Sequence, residues 1–249
     1  DPRALRMIAI PTTLSAAEFF PGAGVTDVQR HVKQMYSHPL AVPRTVILDP
    51  AATLETPMEL LLSTGMRAID HAVEGWCSVK AAPIADASNR EAMRLLAKAL
   101  PAMKRDAREL DSRALAQHGM WLSRIATMAG IPYGASHGIG HVLGAACGVP
   151  HGHTSCVMLP SVLRWNLPAN AERQKRVSEA FGKPESAAAD LVAGLVKSLG
   201  LPGRLADVGV GKDRFREIAE KSMHDRAVLN NPRPIKGPAE VMEILELAA

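Results

Sequence analysis

The residues best placed to do chemistry in this chain are histidines. His137 and His141 lie four apart in Ser136-His137-Gly138-Ile139-Gly140-His141, so a helix puts both on one face. His151 follows a Gly148-Val149-Pro150 break that can turn the chain back beside them. His71 stands in Gly65-Met66-Arg67-Ala68-Ile69-Asp70-His71-Ala72-Val73-Glu74, which reads as a helix with Arg67 and His71 on one face. Imidazole suits both proton transfer near neutral pH and metal ligation. Four histidines among so many apolar residues therefore point to a metal or catalytic pocket. A lone histidine on an apolar helix is more often a core residue than a ligand, and the i, i+4 pair is what lifts this set above that reading. His153 reads as a supporting or surface residue. His31, His38, His118 and His224 have no partner pattern and read as structural.

The elements that must carry these residues are mostly helical. From about residue 52, apolar positions recur at helical spacing. Pro57 suits a first turn, ahead of Met58, Leu60, Leu61 and Leu62. Further helices are predicted over Asn89–Met103, Leu115–Met128, Asp190–Leu199, Asp213–Met223 and Ala239–Leu247. Residues 1–51 read differently. Met7-Ile8-Ala9-Ile10 and Val46-Ile47-Leu48 are short strands with a turn signal, Pro21-Gly22-Ala23-Gly24, between them. Two such strands make no stable sheet alone. The expected division is a β-strand and hinge remnant over residues 1–51 and an all-helical domain over residues 52–249.

Bulk properties narrow the classes. At 249 residues and 47% hydrophobic, the chain can bury a substantial core. Its charge excess of +4 is scattered, without a basic run, which argues against nucleic acid as a partner. Residues 125–163 hold no Asp, Glu, Lys or Arg, yet prolines, glycines and four histidines interrupt them. They read as a buried centre rather than a membrane span. Three widely spaced cysteines, Cys77, Cys147 and Cys156, fit reduced thiols and a cytoplasmic protein.

Here the sequence resembles a family. His137-Gly-Ile-Gly-His141-Val-Leu-Gly-Ala, then Pro150-His151-Gly152 and Val157-Met158-Leu159-Pro160, resembles the signature of the group III, iron-containing alcohol dehydrogenases. Gly65 to Glu74 resembles their other metal-site helix, and Ile10 to Glu18 their hinge strand entering the cofactor cleft. Leu229-Asn230-Asn231-Pro232-Arg233-Pro234-Ile235 resembles their C-terminal loop. The maleylacetate-reductase-like branch is the nearest in appearance. The resemblance implies the C-terminal helical domain of a dehydroquinate-synthase-like fold, preceded by a remnant of an α/β nucleotide-binding domain. It implies metal-ligand positions at His71, His137 and His151, a proton-transfer position near the nicotinamide at His141, and cofactor-side threonines at Thr12 and Thr13. It also implies a homodimer, or a separate chain supplying the nucleotide-binding domain.

Two departures stand out. The family's fourth ligand is an Asp four residues before the helix histidine, and here that position is Arg67. A guanidinium has no lone pair to give and stays charged. Asp70 sits about a hundred degrees around the helix from His71 and is expected to pair with Arg67 or with solvent groups. Two readings follow. In one, Arg67 faces a metal-free pocket, polarising a carbonyl or gripping a substrate carboxylate. In the other, Arg67 turns outward and three histidines hold Fe or Zn with water. The second departure is the lack of a Gly-rich phosphate-binding turn for NAD or NADP. The leading expectation is a nicotinamide-dependent oxidoreductase acting on a small carbonyl or alcohol, with Arg67, His137 and His141 as catalytic groups. The alternatives are a cofactor-independent lyase, isomerase or hydrolase using the same pocket, and a non-catalytic helical subunit that docks a partner.

Overall fold

The computed structural model describes residues 6–27, 32–80 and 82–249; His31 falls outside them. Before residue 47, β1 (Ile8–Ala9) pairs in parallel with β4 (Thr45–Val46), and β2 (Gly22–Asp27) antiparallel with β3 (Val32–Ser37). The predicted turn at Gly22–Gly24 is therefore wrong. Gly22, Ala23 and Gly24 pair with Ser37, Tyr36 and Met35, because glycine permits a turn without dictating one.

From residue 58 on, every long element among the described residues is a helix. The central one is α1 (Met58–Cys77), whose residues 61–77 are all buried. A helix buried on all sides lies at the centre of a helical domain. Around it pack α2 (Pro83–Arg105), α3 (Leu110–Ser123) and α6 (His151–Ala180). The predicted single helix over Leu115–Met128 is broken at Arg124, and α4 (Ile125–Met128) follows the break. The Arg124 N–H bonds Trp121 O at 3.1 Å, tightening the last turn of α3.

The longest helix, α6, has no counterpart in the sequence reading. Pro160 and Pro168 lie inside it, and the backbone leaves helical geometry at Asn170 (φ −144°, ψ 33°). A proline removes one rung and kinks a helix without having to end it. α6 divides two apolar cores. Cys156, Leu159 and Leu163 join Met66, Ile69 and Val73 of α1, with α2, α3 and α7 (Ala188–Leu199) around them. Val157, Met158, Val162 and Trp165 pack instead with Ile139 and Leu143 of α5 (Ala135–Cys147). α8 (Phe215–Ser222) and α10 (Pro238–Leu247) complete that second core, and α9 (Arg226–Leu229) lies against α5.

Two glycines set the spacing near the histidines. Gly148 (φ 68°) closes α5 in the left-handed conformation that glycine reaches without strain, and lets the chain reverse into α6. Gly152 lets α6 touch α1, since a Cβ there would meet the Ser63 backbone carbonyl carbon at 2.8 Å. Among the described residues, no helix is long and apolar enough to cross a membrane.

Candidate active site

One stripe of α1 carries most of the site. Arg67, Asp70, His71 and Glu74 stand at i, i+3, i+4 and i+7, within about one hundred degrees of the helix circumference. All four are buried, and the helix positions between them are apolar. Of the two partners expected for Asp70, the structure shows Arg67 and not solvent, since Asp70 is 0% exposed. Its Oδ2 accepts from Ser136 Oγ at 2.9 Å and Ser155 Oγ at 2.6 Å, and lies 3.6 Å from Arg67 Nη1. Arg67 does not turn outward. Its Nη1 donates to Ser155 Oγ at 2.9 Å, between α1 and α6.

Glu74, which the sequence reading did not single out, organises α5. The first four N–H groups of a helix have no partner within it. In α5 these belong to Gly134, Ala135, Ser136 and His137. Glu74 accepts three of them, from Gly134 (3.0 Å), Ser136 (2.8 Å) and His137 (3.2 Å). Asn231 Oδ1 accepts the fourth, from Ala135, at 3.2 Å. The C-terminal loop thus helps to start the histidine helix, and it is anchored by Arg233, whose guanidinium lies 3.9 Å over the Trp165 ring. Glu74 Oε2 also lies 2.7 Å from His137 Nδ1.

The histidines form a graded row. His71 and His137 are buried, with ring centres 5.1 Å apart; His137 and His141 are 6.3 Å apart. His141 and His151 are exposed and parallel at 6.2 Å. Tyr133 stacks on His137 at 3.8 Å and accepts from Arg124 Nη1 at 2.8 Å. Arg124 Nη1 also lies 3.3 Å from His71 Nε2. Neither Arg124 nor Tyr133 carried a signal in the sequence. The signal for Asp70 and Glu74 was present, as a polar stripe on an apolar helix. Thr12 and Thr13 are held beside the start of α1, where Thr56 Oγ1 donates to Thr12 O at 2.8 Å and Thr13 bonds Ser15. His153 faces Glu59 at 3.3 Å, while His118 and His224 are exposed. His38 Nδ1 accepts from Leu40 N–H.

Burial sets the charge states. It pushes His71 and His137 well below the usual imidazole value, and the positive charge of Arg67 (with that of Arg124 at His71) pushes the same way. Both rings are neutral at physiological pH. Burial raises Asp70 while Arg67 pulls it down. Burial, then the nearby Asp70 charge, raises Glu74 to about 8, against the pull of its backbone amides. Burial also lifts the Cys77 and Cys156 thiols to about 12, which leaves them inert as nucleophiles.

The donor set does not suit a metal ion. Asp70, Glu74 and His137 bring ligand-type atoms within 4.8 Å of one another. Both Glu74 oxygens, however, are committed to α5, and Asp70 Oδ2 to two serines. His71 Nδ1 and His137 Nε2 are buried without a partner, yet the burial that chiefly depresses these imidazoles, and the positive charge of Arg67 beside them, also oppose a divalent cation. His151, the third expected ligand, lies at the exposed end of the row. The unpartnered set holds Asp70 Oδ1 as well as Arg67 Nε, and this mixture of donors and acceptors fits a polar organic group better than a metal.

These features define a helical domain with a buried arginine–histidine–carboxylate centre where two cores meet. Residues 61–249 match the C-terminal part of the Fe-containing alcohol dehydrogenase family, and the chain belongs to that family. It is 32% identical to a dehydrogenase from Gibberella moniliformis over 281 aligned positions, covering all of this chain and 65% of the relative. It is 33% identical to a maleylacetate reductase from Burkholderia cepacia, covering 94% of this chain and 65% of that one. The crystal structure of maleylacetate reductase from Agrobacterium tumefaciens superposes with a TM-score of 0.88 at 28% identity, covering 99% of this chain and 68% of that one. The chain thus spans about 65% of the length of these curated relatives.

Proposed function

We propose that this chain is the substrate-side, helical part of a nicotinamide-dependent oxidoreductase that interconverts a small carboxylated carbonyl compound and its alcohol; the maleylacetate reductases among its relatives act, by name, on a carboxylated substrate. The observation that carries the reading is Arg67, a buried guanidinium in the stripe where a metal-binding member of the resembled family has a carboxylate. The cofactor, NAD or NADP, supplies or accepts the hydride when bound. Its pyrophosphate needs a Gly-rich turn that the described residues do not contain, so a nucleotide-binding segment or chain outside these residues completes the enzyme, within a cytoplasmic homodimer. Thr12 and Thr13 lie on the cofactor side. Arg67 polarises the carbonyl oxygen or holds the substrate carboxylate. His137, neutral and braced by Glu74, turns Nε2 to the substrate. His141, at the exposed end of the row, passes a proton to or from the substrate oxygen.

The test uses the protein together with its nucleotide-binding part. Reduction of a small aldehyde or ketone that carries a carboxylate, and of an uncharged aldehyde, is followed with NADH and NADPH, alongside metal analysis. The reading expects a preference for the carboxylated substrate, substoichiometric Fe and Zn, and a rate that EDTA leaves unchanged. A rate that rises in proportion to bound Fe or Zn overturns it.

A further inference from the structure

Asp225 divides its two carboxylate oxygens between two tasks. Oδ1 accepts the Ala227 N–H at 2.8 Å and so caps α9. Oδ2 lies 2.8 Å from Nδ1 of His141. The pair spans 84 residues of sequence and joins α5 to the start of the loop that carries Asn231. The His141 side chain is 45% exposed and that of Asp225 25%, so the bond stands at the rim of the site, where one face of the ring can meet a ligand.

An ionised carboxylate only accepts hydrogen bonds, so Nδ1 of His141 must carry the hydrogen. In the neutral ring Nε2 then keeps its lone pair, on the side of the imidazole away from Asp225. Burial raises the Asp225 carboxyl, but the His141 bond, the His141 charge and the Ala227 amide outweigh it and hold the group below its usual value. The carboxylate is therefore ionised through the neutral pH range.

We propose that Asp225 is a positioning residue: it fixes His141 in the Nδ1–H tautomer and presents Nε2 to the substrate oxygen. This rests on the reading of His141 as the proton-transfer group. In the direction of alcohol oxidation, Nε2 takes the hydroxyl proton as hydride leaves the carbinol carbon for NAD(P)+. The C–H pair is lost to the cofactor, the O–H pair becomes the C=O bond, and His141 becomes an imidazolium facing Asp225. In reduction, the imidazolium would return the Nε2 proton to the oxygen, with the hydride for carbon supplied by a bound reduced nicotinamide. Asp225 stays ionised throughout and stabilises the charged ring.

Asp225→Asn separates this role from helix capping, because asparagine caps a helix as well as aspartate does. Its amide N–H can donate to Nδ1, which moves the ring proton to Nε2 and removes the acceptor. The experiment is carried out on the protein with its nucleotide-binding part, labelled with 15N-histidine, by two-bond 1H–15N correlation of the imidazole. The wild type is expected to show His141 protonated on Nδ1, and the variant on Nε2. In the variant, kcat should fall about a hundredfold, the scale of a misdirected acid–base group, while KM changes less than about twofold. A wild-type His141 protonated on Nε2 overturns the proposal without recourse to any variant. So does an unchanged tautomer in Asp225→Asn. A reversed tautomer with an unchanged kcat supports the positioning role and overturns the assignment of proton transfer to His141.

Discussion

Replacing Arg67 by methionine tests how the site's charges are held. The change keeps most of the side-chain volume and deletes the guanidinium. Asp70, 0% exposed, then loses its only cation within 4 Å among the described residues and keeps only the hydroxyls of Ser136 and Ser155. Breaking a buried pair by removing one partner costs about 3–5 kcal/mol. In a domain of this size that lowers Tm by on the order of 10 °C. The loss depends on pH. Burial already lifts the folded Asp70 above 3.8, and Arg67 is the strongest opposing influence, so the variant lifts it further. An acid that holds its proton more tightly in the folded state favours the fold at low pH and loses that advantage as pH rises through the folded pKa. The deficit of Arg67→Met should therefore be largest near pH 8 and shrink as pH falls toward the ordinary carboxylate range. Denaturant unfolding followed by circular dichroism at several pH values measures it, and Arg67→Met/Asp70→Asn should recover most of the loss at pH 8. A deficit below about 1 kcal/mol at pH 8 that does not change with pH would show that Arg67 and Asp70 do not compensate each other, and the case for a pocket built around a fixed positive charge would fall with it.

Glu74→Gln should alter the pH dependence of stability: the folded carboxyl is raised to about 8, so its contribution is full below the unfolded value of 4.5 and is lost as pH rises through about 8, and the stability difference from wild type should drift across that window in unfolding titrations. Glu74→Ala should cost about 3–5 kcal/mol by leaving three buried amides unsatisfied, and hydrogen exchange should speed up first at residues 134, 136 and 137. Gly152→Ala should cost about 1–3 kcal/mol by forcing α6 away from the Ser63 backbone, read from the unfolding midpoint. In the complete enzyme, His141→Ala should lower kcat by roughly ten- to a thousandfold with little change in Tm, whereas His137→Ala should also raise KM; equal losses of Tm with unchanged kcat would make both histidines mere core residues.

The helices beginning near Met58, Asp190 and Ala239 were legible because their apolar residues recur at helical spacing between clear stops. α6 was not, because Pro160 and Pro168 read as breakers and its first half lacks the charged residues that reveal an amphipathic face. The histidines were legible by type and spacing. The pairing of Asp70 with Arg67 was legible in their spacing of three, but its place on one buried stripe with Glu74 shows only when the positions are measured from Arg67. Tyr133 and Arg124 reach the row only through tertiary packing, after a break in α3 that no residue type announces. Asn231 stood out as part of a loop resemblance, and its bond to the first turn of α5 became visible only in three dimensions.

The first turn of α5 has a consequence for how the protein comes into being. Its four open amides are closed by residue 74, some sixty positions earlier, and by residue 231, some ninety-six later. Local sequence cannot complete that turn, and closing loops of such length carries an entropic cost that falls before any contact rewards it. The orientation of His137 is therefore among the last things the chain acquires. On refolding, helical signal should return first, and recovery of the site should wait for α1 and the C-terminal loop to dock, so catalytic competence reports on finished tertiary structure rather than on helix content.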